Sequence, residues 1–434
     1  MTSNSHAIKL ARNVLIGLLF FNLSSVFIQK SGGLFNNVSY TLRIFFYLYV
    51  LYSIRVISCP RKLNKNVFVI YGSWLPFFIT FSLAATVLAS GGFSTAISRI
   101  FPTYLMLADT MLFFYIGYSV GHSQIQIDTI SRYLHLFAVI SIVGMTGLSI
   151  YVYVNFGGLQ AFWREAYSTN HAYDVILNVY KNVNPYRFAV LIPFLFLKRS
   201  KLNVALVVVA LLNIIFAGKK GPLLAVLISG LAVFMQFRGG RKKFVQYLFV
   251  GAGIFLVFCL FTENSIFDSL IYRLDSSQHM KKDDTTFYMS GRDYLWRFTL
   301  EHFFSGGVIQ QMFGYGVNGA ADFLTKKTGI SNVHNDWLEV LHNFGYFGFF
   351  TMLNLYLILV QFCIKLKKYD KKFFVITLYL LIFSLVSSFY TVQLYGGLLA
   401  PGYSYALVAF FYGIYSKYRL RNDFVITYKE GRFQ

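Results

Sequence analysis

Long apolar runs alternate with short polar segments along most of the chain. Many runs approach the roughly 20 residues that a helix needs to cross a hydrocarbon core of about 30 Å. This pattern predicts an all-α polytopic membrane protein with about twelve transmembrane helices. The predicted spans are residues 13–29, 38–57, 66–90, 103–121, 133–155, 184–198, 202–217, 221–237, 244–262, 336–363, 372–394 and 398–416.

Composition supports a membrane protein and excludes several kinds of site. Hydrophobic residues make up 56% of the chain and charged residues only 13%, whereas about a quarter of the residues in soluble domains are charged. The three cysteines lie far apart, with neither a metal-ligand spacing nor a CxxC pair. The chain also lacks a GxxxxGK[ST] loop and an Asp-x-Asp pair. We therefore expect no bound metal and no cofactor.

The basic residues are distributed unevenly between alternate loops. The net charge of +22 would suggest nucleic acid in a soluble chain. Here one set of loops and both tails carry 24 bases and 4 acids, and the opposite side carries 15 bases and 12 acids. Short cytoplasmic loops of membrane proteins are enriched in Lys and Arg. We therefore predict cytoplasmic termini, the lipid bilayer as a partner and no nucleic acid.

The longest polar stretch lies on the predicted extracytoplasmic side. Residues 263–333 are predicted to form a cap within a single membrane domain, 1–434, and residues 156–183 form a shorter loop on the same side. The cap should contain short helices, for example around Asp293–Phe304. Turns are expected at Gly306-Gly307, Gly314-Tyr315-Gly316 and Asn318-Gly319.

Three inward-running spans begin beside basic or titratable residues. These starts are Asn184-Pro185 with Arg187, Gly218-Lys219-Lys220-Gly221-Pro222, and His334-Asn335-Asp336. A helix N-terminus carries about half a positive charge. Clustered on one membrane face together with cations, such termini would bind an anion. The sequence leaves open whether they cluster.

Two cations, Arg292 in the predicted cap and Arg187 within a span, have alternative interpretations. Arg292 can grip a phosphate through two parallel hydrogen bonds, or pair with Asp293 or Glu301. Arg187 lies about one turn into a span, where a charge usually faces a cavity or a partner such as Asp109.

Other candidates likewise have both a functional and a structural interpretation. His334 could accept a proton from a sugar hydroxyl, or bond to nearby backbone at a helix start. Asn335 fits a helix cap, and Lys219 and Lys220 fit interfacial lysines that reach water. Trp337 could stack on a sugar ring or serve as interfacial packing.

Four short motifs in this order resemble the bacterial O-antigen polymerase/O-antigen ligase superfamily. They are Ser290-Gly291-Arg292, Gly314-Tyr315-Gly316, His334-Asn335-Asp336-Trp337-Leu338 and Gly345-Tyr346-Phe347-Gly348. The resemblance covers roughly residues 180–350 in motif and the whole chain in span count. Where the family commonly has Ser-Arg-Gly, this chain departs from the pattern with Lys219-Lys220-Gly221.

The resemblance implies a metal-independent glycosyltransferase with a GT-C-like membrane fold in the bacterial inner membrane. Its donor would be an oligosaccharide on undecaprenyl diphosphate, used at the periplasmic face. Arg187 and Arg292 would bind the diphosphate, and His334 would orient or deprotonate the acceptor hydroxyl. Further substrate-binding candidates are Lys219, Lys220, Ser290, Asn335 and Trp337.

Several functional classes stay open at this stage. We favour a polymerase that joins lipid-linked repeat units, with a polysaccharide chain-length regulator as a candidate partner. A ligase that moves the finished glycan to lipid A–core is the alternative. A lipid-linked glycan flippase or transporter is less favoured, because such proteins commonly contain internal repeats and intramembrane charges. A purely structural partner in glycan assembly has no motif in its favour.

Overall fold

A computed structural model describes the middle and later parts of the chain most fully. The described residues are 9, 12–13, 45, 48–49, 52, 83–88, 117–118, 124–155, 157–158, 184–198, 200–217, 220–236, 292–330, 333–368, 370–390, 407–408 and 410–416. Every long regular element among them is a helix. The predicted spans 13–29, 38–57, 66–90, 103–121 and 244–262 lie wholly or largely outside these residues, and about half of 398–416 does.

Besides helical residues at 83–88 and 410–416, nine helices are delimited in the described segments. They are α1 (Gln124–Asn155), α2 (Asn184–Leu195), α3 (Lys201–Phe216), α4 (Lys220–Phe234), α5 (Arg292–Ser305), α6 (Val308–Phe313), α7 (Gly319–Thr328), α8 (Asp336–Lys367) and α9 (Lys371–Ser388). Helices α1–α4, α8 and α9 coincide with predicted spans, and α5–α7 belong to the predicted cap. The expected cap helix around Asp293–Phe304 is confirmed as α5.

Three described helices are long and apolar enough to cross a bilayer. They are residues Asp128–Asn155 of α1, all of α8 and all of α9. Helices α3 and most of α4 are apolar but shorter. These findings are consistent with a helical membrane protein.

Helix α1 has apolar residues on both its buried face and its exposed face. One face is buried through Leu134, Ala138, Ile142 and Met145. The opposite face exposes Leu136, Val143, Ile150 and Val154, at intervals of seven or four residues, which keep them on one side of the helix. A helix that is apolar on both faces needs an apolar solvent as well as a core. The exposed face of α1 is therefore suited to lipid.

Local side chains fix where several helices begin. Ser200 caps α3 by accepting a hydrogen bond of 3.1 Å from the Asn203 backbone N–H. Asp370 caps α9 by accepting bonds of 2.8 and 3.1 Å from the N–H groups of Lys372 and Phe373. Such caps satisfy donors that have no partner within the helix. The Asn203 amide also donates to the Leu195 and Lys198 carbonyls, closing the short turn between α2 and α3.

Helix α8 contains a kink that the pattern of apolar residues does not predict. Gly345 has φ 65° and ψ −163°, which separates an initial segment, 336–344, from the remainder of the 32-residue helix. The part that follows, 346–367, is about 33 Å long at 1.5 Å per residue. This length alone matches a hydrocarbon core of about 30 Å. The first segment is thus available for packing against the cap.

Candidate functional site

The starts of three helices lie at the same end of the described bundle. Gly221, at the start of α4, lies so close to α2 that an added Cβ would be 2.9 Å from the Tyr186 hydroxyl and 3.5 Å from the Tyr390 Cβ. At the start of α8, the Trp337 indole N–H donates a 2.8 Å hydrogen bond to Ser388 Oγ. The end of α9 thereby connects the starts of α2, α4 and α8. We call this group, formed by Asn184, Tyr186, Arg187, Gly221, Trp337 and residues 388–390, the helix-terminus junction.

Arg187 brings a buried cation to the junction. Only 3% of Arg187 is exposed, and its Nη1 lies 3.4 Å from the Asn184 Oδ1, so the guanidinium is directed back toward the start of α2. A guanidinium is strongly disfavoured in an apolar interior without polar contacts. The Arg187 guanidinium therefore places positive charge at the end of the bundle where the helix N-termini converge. Asp109, the acid that the sequence suggested as a partner, lies outside the described residues.

Contacts at the other end of the described bundle join α1 to α3 and α8 to α4. The His135 Nε2 near the start of α1 lies 3.0 Å from the Asn203 Oδ1 at the start of α3. Lys367, at the end of α8, lies 3.4 Å from the Gln236 side chain just after α4. The sequence assigns all four residues to one membrane side and the junction to the other. The packing of the described helices thus agrees with the predicted assignment of these helix ends to two opposite sides. It does not depend on which of the two sides is periplasmic.

The cap docks on α8 through backbone contacts. The N–H groups of Tyr315 and Gly316 donate bonds of 3.0 and 2.9 Å to the carbonyls of His342 and Asn343. These carbonyls lie just before Gly345, where the helix is interrupted, so the loop supplies donors at the kink. An added Cβ at Gly314 would lie 2.2 Å from the Asn343 carbonyl oxygen. One at Gly345 would lie 2.4 Å from the backbone of Met312.

The two glycine motifs recognised in the sequence therefore have a structural explanation. Gly314, Gly316 and Gly345 all have positive φ, at 81°, 90° and 65°, which L side chains adopt rarely. Gly314 and Gly345 also approach the facing backbone so closely that no side chain would fit. The motifs join the cap to α8.

A group of four rings fills the interface between the cap and α8. We call His302, Tyr315, Phe323 and His342 the histidine cluster. The Nδ1 of His302 lies 2.8 Å from the Nε2 of His342. The His302 ring stacks on Phe323 with centroids 3.9 Å apart, and the Tyr315 ring lies 4.7 Å from that of His342. Burial lowers the pKa of His302, and the charge of Lys327 lowers it further.

The predicted proton acceptor lies between the cap and the helix-terminus junction. His334 is half-buried and has a left-handed φ of 56°, an uncommon conformation for a side chain with a Cβ. Asn335, the next residue, caps α8 by accepting bonds of 3.0 and 3.2 Å from the N–H groups of Trp337 and Leu338. The capping interpretation of Asn335 is confirmed. His334 thus directly precedes the start of α8.

Arg292 is the first residue of α5 and is half-buried. One turn later, the Trp296 indole N–H donates a 3.0 Å bond to the carbonyl of Val333, the residue before His334. Glu301, one of the acids that the sequence suggested as a partner of Arg292, pairs with Arg297, with 2.7 Å between its Oε1 and the Arg297 Nε. Within the described part of the chain, Arg292 has no ion-pair partner. The start of α5 is therefore tethered near the His334 segment.

Trp337 takes part in the packing of the junction. Besides its bond to Ser388, its ring stacks with Tyr356 and Phe389, with centroids 5.1 and 5.7 Å apart. A sugar contact by Trp337 stays a prediction. Lys219 and Ser290 lie outside the described residues, and only the backbone of Lys220 is described, as the first residue of α4.

Sequence reasoning overlooked the polar residues one to two turns into α8. Glu339, His342 and Asn343 are 6%, 0% and 0% exposed. Their spacing of three and four residues places them on one side of the helix. That spacing is visible in the sequence and could have identified them. No group of three or more His, Cys, Asp or Glu residues suited to a metal ion occurs among the described residues.

Comparison with known protein families covers the cap and the start of α8, whereas Arg187 lies outside the matched region. No curated protein matches the chain. The model of the O-antigen ligase family matches residues 205–353, which include most of α3, all of α4 and the cap helices, and the first part of α8. The four motifs that suggested the superfamily fall within the matched segment. Over residues 205–353, the chain is therefore confirmed to resemble the O-antigen polymerase/O-antigen ligase superfamily.

Proposed function

We propose that the protein polymerises undecaprenyl-diphosphate-linked oligosaccharide repeat units into O-antigen or a related surface polysaccharide. The observation that carries this proposal is the convergence of three helix starts and the buried Arg187 at the helix-terminus junction. Such an arrangement suits a diphosphate, because helix N-termini and guanidinium groups both favour anions. The match to the O-antigen ligase family supports glycan transfer as the reaction class.

In the proposed reaction, the oxygen of an acceptor sugar hydroxyl bonds to the anomeric carbon of the donor. The bond from that carbon to the diphosphate oxygen breaks, and its electron pair leaves with undecaprenyl diphosphate. His334 accepts the hydroxyl proton. Arg187 and Arg292 stabilise the charge that develops on the diphosphate, which is often the largest contribution to catalysis. Lys219, Lys220 and Ser290 are additional candidates for binding the substrate.

The proposal includes a membrane arrangement. We infer twelve spans in a GT-C-like fold, with both termini in the cytoplasm and residues 263–333 as a periplasmic cap over the site. A single domain, 1–434, would lie in the inner membrane, with the shorter periplasmic loop at 156–183. The reaction would need no metal, since the diphosphate is already a good leaving group. A chain-length regulator is a candidate partner.

Replacement of His334 and Arg292 tests the proposal in cells. A deletion strain is complemented with wild type, His334→Asn or Arg292→Gln, and membrane expression is measured alongside the surface glycan. Long glycan chains are expected only with wild type, while the variants accumulate lipid-linked repeat units. Normal long chains in both variants, at equal expression, would rule out the roles assigned to these residues.

A ligase is the second candidate, because the matched family is described as O-antigen ligase and the match does not separate ligases from polymerases. The glycan of the deletion strain separates the two reactions. Single repeat units on lipid A–core indicate that a polymerase has been lost. Bare core, with long chains accumulating on undecaprenyl diphosphate, indicates a lost ligase.

A further inference from the structure

Three buried polar side chains on α8 have atoms without a hydrogen-bond partner among the described residues. The atoms are the Oε2 of Glu339, the Nδ1 of His342 and the Nδ2 of Asn343. Each residue is more than nine-tenths buried. Folded proteins leave few buried polar atoms unsatisfied. Three on one side of one helix therefore indicate a polar partner beyond the described contacts.

The three residues are held in place by their other atoms. The Asn343 Oδ1 accepts a 2.8 Å bond from the Ala320 N–H at the start of α7. This bond fixes the orientation of the amide, because its oxygen must face the donor. The Nε2 of His342 lies 2.8 Å from the Nδ1 of His302, and stacking against Tyr315 holds the ring. The His342 ring also interacts with the neighbouring Asn343 side chain, so both side chains are positioned in advance.

The donors and acceptors on this face suit hydroxyl groups. The amide nitrogen of Asn343 can only donate, whereas the Glu339 carboxyl accepts when ionised and also donates when protonated. The Nδ1 of His342 donates or accepts, depending on which ring nitrogen carries the proton shared with His302. An amide donor is unsuited to a metal cation, whereas a hydroxyl both donates and accepts. A polyhydroxylated ligand is therefore the best chemical match.

The face also lies close to the proposed reaction centre. Glu339 and Asn343 are five and nine residues after His334, or about 7 to 14 Å further along the helix direction at 1.5 Å per residue. The cap helix α7 contacts the same segment through Ala320. A ligand here would lie between the cap and α8, next to His334.

We propose that Glu339, His342 and Asn343 form a subsite for the hydroxyl groups of a sugar unit of the glycan substrate. This inference rests on the proposed function, and it adds a sugar-binding role for residues beyond the diphosphate and proton-transfer groups. Binding of the sugar would satisfy the buried atoms and place the reacting unit beside His334. The subsite orients substrate and takes no part in bond formation.

Glu339→Met tests the subsite without a large change in side-chain volume. Replacing a buried, unpartnered carboxyl by an apolar group is expected to preserve or raise stability. The matched control is Thr377→Val, which removes an oxygen from α9 that is likewise buried and without a partner among the described residues. Both variants of the full chain are purified in lipid nanodiscs and compared with wild type.

Two measurements test the proposed subsite and the proposed function separately. The first is the thermal shift caused by the repeat oligosaccharide, released by mild acid from the lipid-linked donor of the deletion strain. The second is transfer with the intact lipid-linked donor. We expect Glu339→Met to raise the half-saturating oligosaccharide concentration about tenfold or more, consistent with loss of a hydrogen bond to a buried group. Thr377→Val should behave like wild type in both measurements.

Each outcome decides one of the two proposals. Equal thermal shifts in wild type and Glu339→Met, including no shift in either, would overturn the subsite and leave a structural polar cluster. Failure of the wild type to transfer glycan from the intact donor would instead contradict the proposed function. A shift in wild type that weakens only in Glu339→Met supports the subsite, whatever the transfer result.

Discussion

The Nδ1 of His302 on the cap lies 2.8 Å from the Nε2 of His342 on α8. A hydrogen bond at this distance requires one nitrogen to donate and the other to accept, so both rings cannot be doubly protonated. The two residues are 40 positions apart, and each belongs to a different part of the protein. The strength of the contact between the cap and α8 therefore depends on the protonation state of His302 and His342.

Acidification should weaken the attachment of the cap. The pKa of His302 is lowered by burial and by Lys327, so folding favours its neutral form. Its contribution to stability is complete above the ordinary histidine value of about 6.5 and is lost as the pH falls through the lowered value. Thermal unfolding in nanodiscs from pH 7.5 to pH 5 should show a falling Tm, with a shallower fall for His302→Gln. Parallel curves for the two proteins would exclude this role.

Alanine at the docking glycines should prevent close contact between the cap and α8. Gly314→Ala or Gly345→Ala would place a Cβ within 2.2 or 2.4 Å of facing backbone atoms, at positions with φ of 81° and 65°. We expect a loss of about 3 kcal/mol or more, because strain and steric overlap add. The measurement is the yield of folded protein and its Tm.

Two helical glycines provide the control for this prediction. An added Cβ at Gly147 or Gly230 meets nothing within 4 Å. Alanine there should be neutral or stabilise the helix by up to about 1 kcal/mol. Equal effects of alanine at the control and docking positions would contradict the assigned role of the glycine motifs.

The positions of the helices could be predicted from the sequence more fully than the contacts between the helices. The cap helix Arg292–Ser305 and the start of α8 at Asn335 follow from local polar and apolar patterns. The kink at Gly345 could not be derived in this way, because the donors facing it come from Tyr315 and Gly316, about 30 residues earlier. The His302–His342 pair likewise depends on tertiary packing, whereas Glu339 was recognisable from its spacing to His342.

The bond between Trp337 and Ser388 should contribute measurably to the helix-terminus junction. It joins the start of α8 to the end of α9 at 2.8 Å. Trp337→Phe and Ser388→Ala each remove it, with an expected cost of about 1 kcal/mol. A double-mutant cycle on unfolding should give a coupling energy of similar size. Strictly additive effects would indicate that the bond contributes nothing to stability.

The conformation of His334 determines which substitution is informative. Because its φ is 56°, alanine would retain about 1–2 kcal/mol of backbone strain, whereas asparagine tolerates this region. His334→Asn should therefore keep near-wild-type stability and lose transfer activity by about a hundredfold or more, as expected for loss of a general base. Unchanged transfer by a stable His334→Asn protein would remove His334 from the mechanism.

Two arginines of α5 allow the most direct test of the proposed site. Arg292 is half-buried without an ion-pair partner among the described residues, and Arg297, five positions later, is exposed and paired with Glu301. The same change, Arg→Gln, is made at each position in the full chain, and transfer is measured in nanodiscs with the lipid-linked donor from the deletion strain. We predict that Arg292→Gln loses transfer by about a hundredfold, as expected when a donor to the developing charge is removed, while Arg297→Gln retains it. Equal transfer rates in the two variants would contradict a diphosphate-binding site at the start of α5.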